Sequence, residues 1–210
     1  MADFVHLTNK TEYSLSEGAL PIARIAELCQ SFSMPAVGIS DNNNMFGALE
    51  FSEQIAKVGV QPILGCNIKI KTPKEYLHEN IEDNDLYFYL NIFSKNNEGY
   101  ENLLKCVSNA YTLNKGNACV TVDDLIKLKE GLIILSGGNN SILTHSTGHM
   151  ITKQSQQFIS DFKKEFNDNF YIEIQRFGSV DYRLNEEAVL NLAYDHQIPL
   201  VATNDAYFEG

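Results

Sequence analysis

Basic side chains are scarce. Against 27 aspartates and glutamates stand 16 lysines and arginines, a formal net charge of -11 over 210 residues. Nucleic acids are held chiefly by basic surface that neutralises phosphate, so direct DNA binding by this chain is not expected. The short patch KIKTPK (69–74) is too small to reverse that balance and reads as a solvated strand end. Cysteines 29, 66, 106 and 119 are widely spaced with no CxxC pair. They read as reduced cytosolic thiols, which excludes a disulfide frame and a zinc knuckle. The sequence contains no HExxH, GxSxG, P-loop or GxGxxG motif. No apolar run is long enough to span a bilayer and no signal-peptide pattern opens the chain, so a cytoplasmic location away from membranes is expected. There is no low-complexity segment, no short-period repeat and no linker, so residues 1–210 read as one domain.

What is present is an ordinary globular balance, 44% hydrophobic and 20% charged, arranged as alternating strands and helices. Apolar runs at 4–7, 35–40, 61–70, 86–94, 131–138, 169–177 and 199–205 read as strands. Helical periodicity marks 21–32, 45–58, 98–111, 156–166 and 184–197, with a short helix at 121–128 capped by Thr121. The expected inward residues are Ile22, Ile25, Cys29 and Phe32 in the first helix and Met45, Ala48, Leu49 and Ile55 in the second. In 98–111 they are Tyr100, Leu103, Leu104, Val107 and Tyr111, and Phe158, Phe162 and Phe166 form a core stripe. Strands separated by helices imply parallel pairing and right-handed crossovers, and about seven of them fit a closed (β/α) barrel better than an open sheet. The last residues, YFEG, follow a junction of the kind that leads into a helix, so the sequence reads as a fragment of a longer chain.

In such a fold chemistry gathers at the carboxyl ends of the strands. Those ends carry Thr8 to Lys10, Asp41, Asn67, the region of Tyr89, Ser136 to Gly138, Gln175, and Asn204 with Asp205. Asp41 and Asp205 are the firm carboxylates, with Glu17 reaching in from the first loop. Each aspartate has two readings: a cap on the following helix, or the remnant of a metal site. Of the histidines only His6 lies near a strand end, and it reads as a hydrogen-bonded core residue. His145 and His149 have i,i+4 spacing in a loop-like stretch, and His78 and His196 are isolated surface candidates. LSGGNNS (135–141) reads as a glycine turn rather than an anion-binding nest.

The stretches TEYSLSEGA (11–19), SDNNNMFGALEF (40–51), GVQPILGC (59–66), NNEGYENLLKCVSNAY (96–111), EGLIILSGG (130–138) and IPLVATNDAYF (198–208) carry a resemblance. Over essentially the whole chain they resemble the N-terminal PHP (polymerase and histidinol phosphatase) domain of bacterial DNA polymerase III alpha subunits. The resemblance implies a distorted seven-stranded, TIM-like (β/α) barrel in which metal-binding members hold a cluster at the mouth. It places their opening HxH pair on Thr8 and Lys10, and their first-loop acid on Glu17. Their DH pair falls on Asp41 and Asn42, their glutamate on Asn67, and their next histidine on Tyr89. Their cysteine falls on Gly138, and their closing Asp and His on Asp205 and Tyr207. Only carboxylates survive, so no transition-metal cluster and no catalytic residue are expected. Weak Mg²⁺ binding through Asp41 and Asp205 is the most the mouth could do.

The resemblance further implies a structural and docking module without hydrolase activity. The remainder of the polymerase chain would be one partner and the proofreading exonuclease subunit another. DNA synthesis and its Mg²⁺ would belong to the longer chain. The competing readings are an active metal-dependent phosphoesterase or 3′–5′ exonuclease of the same family, and a stand-alone barrel enzyme with a metal-free mechanism. Lys10 is expected to turn inward and pair, directly or through one water, with Asp41, Asp205 or Glu17, because like charges in an enclosed mouth are costly.

Overall fold

The computed structural model describes residues 4–77, 86–113, 116–138, 141–145, 151–176 and 180–209, and among these not the side chains of 144–145 and 180–185. His78 and His149 lie outside the described residues, as do 139–140 of the LSGGNNS turn. The elements are α1 (Ile22–Ser31), β1 (Ala36–Asn42), α2 (Ala48–Lys57), β2 (Gln61–Lys71), β3 (Tyr87–Ser94) and α3 (Asn97–Thr112). There follow β4 (Val120–Thr121), α4 (Val122–Lys127), β5 (Leu132–Leu135), α5 (Ile142–His145), α6 (Lys153–Phe166), β6 (Phe170–Gln175), α7 (Val180–Asp195) and β7 (Leu200–Thr203).

Helix starts follow local chemistry. Asn96 accepts a hydrogen bond from the Gly99 N–H at 2.8 Å to open α3. Thr121 accepts from the Asp124 N–H to open α4, and Thr152 with Ser155 forms a reciprocal capping box on α6. Each satisfies backbone donors that the first turn leaves unpaired.

The strands make one sheet in the order β1-β2-β3-β5-β6-β7, with β4 added to β2. The expectation of uniformly parallel pairing fails at β3, which runs antiparallel to both β2 and β5. Among the described residues of the connection between β2 and β3 there is only a short 3-10 turn, Lys74–Tyr76. The expected strand at 4–7 is extended backbone outside any regular strand, yet its continuation closes the sheet. Gly38 and Ser40 of β1 donate to the carbonyls of His6 and Asn9, while Lys10 donates to Ala206 and Ala206 to Thr8. The first segment is thereby wedged between β1 and the residues that follow β7, which curls the sheet into a barrel.

Apolar residues pack outside the sheet, against the helices. One cluster joins Ile68 and Ile70 of β2, Phe88, Leu90 and Ile92 of β3, and Phe170 and Ile172 of β6 to α3 through α7. A second joins Val37 and Ile39 of β1 to α1 and α2. The Phe158, Phe162, Phe166 stripe is buried as expected, with Phe158 edge-on to Phe88 at 5.0 Å between ring centroids. The inward faces of three helices differ from expectation: Phe32, Leu49, Leu104 and Tyr111 are exposed at 69%, 69%, 38% and 53%. On α3 the buried line is Gly99, Leu103, Cys106 and Ala110. Small residues there let the helix approach closely: a Cβ on Gly99 would lie 1.8 Å from the Gly131 carbonyl oxygen. Among the described residues no helix is long and apolar enough to cross a membrane.

Candidate functional site at the barrel mouth

Strand parity decides what faces the lumen. Side chains alternate across a strand, so with Cys66, Leu90 and Ile172 packed outward, Asn67, Asn91 and Glu173 point in. Asn42, Asn67 and Asn91 lie directly across from one another in register, and hydrogen bonds join the inward residues into a chain. Ser40 Oγ donates to Asn91 Oδ1 at 2.7 Å, and Asn67 Nδ2 donates to the same oxygen at 2.8 Å. That orientation leaves Asn91 Nδ2 to donate to both Glu173 oxygens, at 3.2 and 3.0 Å. Glu173 also accepts from the Gly137 N–H, from Gln175 Nε2 and from Thr203 Oγ1.

Glu173 is 2% exposed. Burial pushes its carboxyl up, and the hydrogen bonds from Thr203 and Asn91, with the charge of Lys10, oppose the shift. Four donor groups converge on its two oxygens. Such donors favour the carboxylate and work against the effect of burial. Sequence reasoning missed this residue. The available signal was the period-2 interruption of FYIEIQ by Glu173 and Gln175, which marks a polar lumen rather than an apolar strand.

Lys10 turns inward, as expected, and is 2% exposed. Its direct partners are different from those expected: Nζ donates to the Ser40 carbonyl oxygen and, at 3.4 Å, to Ser40 Oγ. Burial lowers its pKa, opposed most strongly by Asp205, then by Cys66, Glu173 and Asp41. Asp41, 1% exposed, spends both oxygens on the first loop. Oδ1 accepts from the Thr11 N–H at 2.6 Å and from Ser14 Oγ at 2.7 Å, and Oδ2 accepts from Thr11 Oγ1 at 2.7 Å. The carboxylate therefore caps a turn distant in sequence. Helix α2, which follows it, has Gly47 at its N-cap and no side-chain cap.

The other sequence-derived positions ring the opening. Glu17 is exposed and accepts a hydrogen bond from Asn42 Nδ2. Tyr89 is half-buried, and burial followed by the charge of Glu17 raises its phenol. Tyr207 is pushed up to about 12 by burial, then by Asp205 and Glu17. Gly138, at φ 55°, lies against Gln175, whose Oε1 would stand 2.3 Å from an added Cβ. Thr8 Oγ1 and Asp205 Oδ1 are the two buried side-chain oxygens or nitrogens without a hydrogen-bond partner among the described residues. Their segments adjoin, since the Ala206 N–H donates to the Thr8 carbonyl at 3.2 Å. Electrostatic proximity thus joins Lys10, Glu17, Asp41, Tyr89, Asp205 and Tyr207 in one mouth. His6 stands apart, half-buried with its ring edge-on to Phe4 at 4.8 Å between centroids. His196 follows the last turn of α7, half-buried.

A metal cluster of the kind that the family resemblance implies does not fit these residues. Asp41 is committed to three donors, and the buried Lys10 amine takes up part of the lumen, with Asp205 the acid acting on it most strongly. Asn42, Asn67, Tyr89 and Tyr207 offer only neutral oxygens, weak ligands for a multi-ion site. Among the described residues no group of three or more His, Cys, Asp or Glu is placed to hold an ion. The four cysteines are buried as thiols, with Cys66 pushed up to about 12 chiefly by burial.

Comparison with known proteins agrees with the fold. Two solved structures superpose on the whole chain with a TM-score of 0.63 each. One, from Bifidobacterium adolescentis and described as a metal-dependent phosphoesterase, is 13% identical over 90% of its own chain. The other is an amidohydrolase from Chromobacterium violaceum, 11% identical over 89%. At that identity the likeness concerns the fold. The DNA polymerase III subunit alpha of Caulobacter vibrioides is 36% identical over 211 residues, covering 98% of this chain and 18% of that protein. Those of Rickettsia felis and Haemophilus influenzae are 34% and 30% identical over the same 98%. The chain spans less than a fifth of the length of these relatives. The PHP domain family matches residues 6–177, most of the sequence. A mixed sheet curled by its own first segment, lined inside by polar side chains, and matched in this way, belongs to the PHP domain family.

Proposed function

We propose that the chain acts as the N-terminal PHP domain of a cytoplasmic DNA polymerase III alpha subunit, and that within it the domain is a catalytically inactive structural and docking module. Template-directed synthesis and its Mg²⁺ belong, in this reading, to the rest of the polymerase chain. The partners are that remainder and the proofreading exonuclease subunit, which docks through a flexible segment. Similarity to alpha subunits over 98% of the chain supports the placement. The observation that carries the inactive role is the buried Lys10, bonded to the Ser40 carbonyl, at a position to which the family resemblance assigns a metal ligand. The weak Mg²⁺ binding expected through Asp41 and Asp205 has no place in this reading, because Asp41 is committed to the first loop and Lys10 acts on Asp205. The net charge of -11 suits a basic or apolar protein segment and repels the DNA backbone.

Calorimetric titration of the exonuclease subunit's tail into the chain tests the docking role. Binding is expected at micromolar concentration, with negligible binding of duplex or single-stranded DNA at physiological salt. Absence of tail binding at tens of micromolar would reduce the domain to a buttress, and tight DNA binding would contradict both roles.

A further inference from the structure

Lysine is among the residues least often fully buried without a partner, yet Lys10 stands among the largest fully buried side chains of the described residues, the others being Phe, Ile and Leu. We propose that Lys10 is a tethered cation. Its ammonium fills the place of a free ion in the mouth, with Glu173 as the inner counter-charge and Asp205 as the outer one, so that it both stabilises these acids and excludes a metal ion. This goes beyond the docking role and does not depend on any partner.

The geometry has three parts. The first is the link inward. Lys10 Nζ meets Ser40, Ser40 Oγ meets Asn91 Oδ1, and Asn91 Nδ2 meets Glu173, so ammonium and carboxylate are joined through two neutral residues. The Asn91 amide is polarised in the sense that favours positive charge at one end and negative charge at the other. The second is the outer side. Asp205 Oδ1 is buried without a hydrogen-bond partner among the described residues, and Asp205 is the acid that acts most strongly on Lys10. A buried carboxylate oxygen without a donor requires nearby positive charge. The third is Thr8, 0% exposed, whose Oγ1 also lacks a partner and whose backbone is bonded to Ala206, next to Asp205. A hydroxyl oxygen and a carboxylate oxygen on adjoining segments are a cation's ligands, and the chain supplies the cation itself from two residues along the same segment. A divalent ion entering the mouth would meet an ammonium already bonded in place.

The inference separates from a merely buried lysine by chemical rescue. Thermal unfolding of the 210-residue chain is measured for the parent, Lys10→Met, Lys10→Ala, Glu173→Gln and the Lys10→Met/Glu173→Gln double variant. Each is run with chelator, with propylammonium and with Mn²⁺. The parent midpoint is expected to be indifferent to all three additions. Lys10→Met, which keeps the apolar stem and removes the charge, should melt about 5–15 °C lower. The double variant should melt higher than the sum of the two single losses requires, because the uncompensated Glu173 is gone. Lys10→Ala vacates the stem as well, and its midpoint should rise saturably with propylammonium or Mn²⁺, since a ligand that binds only the folded state stabilises it. A Lys10→Met midpoint equal to the parent's would overturn the proposal, as would strictly additive losses with Glu173→Gln. Should Lys10→Ala remain unfolded in propylammonium and in Mn²⁺ alike, the tethered-cation reading is also overturned. Rescue by Mn²⁺ alone would sink the ammonium's role as the matched occupant.

Discussion

The two faces of the same sheet are built on opposite terms. On β6, Phe170 and Ile172 face outward into an apolar cluster that takes in five helices, while Glu173 and Gln175 face inward into hydrogen bonds with Asn91 and Thr203. On β3, Phe88, Leu90 and Ile92 face out and Asn91 faces in. The outer layer is held by burial, which is non-directional and scales with area. The inner layer is held by particular donors matched to particular acceptors, so it keeps its arrangement only while each member is present. The inner polar groups bond mostly with one another, with Thr8 Oγ1 and Asp205 Oδ1 the exceptions among the described residues.

The largest effect should come from the outer face. Phe158 packs edge-on against Tyr76 and Phe88 and lies 4.2 Å, centroid to centroid, from Phe162. Phe158→Ala should cost about 3–5 kcal/mol in urea unfolding through lost transfer energy and a residual cavity. A loss below a third of that would mean the helices carry less of the fold than the apolar cluster implies.

Next comes the first loop on the polar side. Asp41→Ala leaves the Thr11 N–H, the Thr11 hydroxyl and the Ser14 hydroxyl without their acceptor. The expected cost is about 2–4 kcal/mol, since unmade buried hydrogen bonds carry their desolvation penalty. Protease cleavage within 11–18 should appear at the same time. Destabilisation without local cleavage would place the role of Asp41 elsewhere.

Smaller and pH-dependent effects belong to two phenols, Tyr207 at the rim and Tyr76 beside Phe158 on the outer face. Tyr207 and Tyr76 are both held up to about 12, each chiefly by burial. In the unfolded chain these phenols ionise near the ordinary tyrosine value of 10.0. Their contribution is therefore whole below pH 10 and is lost as pH rises toward 12, because the unfolded state gives up its protons first. Ultraviolet titration should show a late phenolate class, and Tyr207→Phe should remove part of it together with part of the alkaline loss of stability. A single transition near 10 would contradict the enclosed rim.

The smallest effect is expected at the exposed pair of Asn42 and Glu17. Asn42→Ala frees a surface carboxylate and should be indistinguishable from the parent in urea unfolding. A clear loss there would show that the rim is as tightly coupled as the lumen.

The outer face was legible in the sequence because apolar runs and their phase report burial directly. The strand runs at 61–70, 86–94 and 169–177 correspond to β2, β3 and β6. Direction was not legible at β3: alternation of elements says nothing of whether a connection carries a crossover helix, and the link after β2 does not place one among its described residues. Helix faces were partly misread because large apolar residues draw the eye. Leu104 and Tyr111 have the right spacing, but the close approach of α3 to the turn at Gly131 selects the side bearing Gly99, Cys106 and Ala110. At the mouth, predicted strand ends and the first loop pointed to Thr8, Lys10, Glu17, Asp41, Asn67, Tyr89, Gly138 and Asp205, and the family resemblance added Asn42 and Tyr207. Residue types alone suggested that Lys10 would neutralise acids. They could not show that Ser40 and Asn91 relay it to Glu173, because those four residues meet only through the register of three strands and the first segment.

The central claim, that the mouth is a self-satisfied polar scaffold and not a metal centre, is tested most directly by elemental analysis of the untagged chain after equilibration with zinc, manganese and magnesium and removal of unbound ion. The account predicts that zinc and manganese remain far below one ion per chain. Retention of one or more zinc or manganese ions per chain, lost on Asp205→Asn, would contradict it.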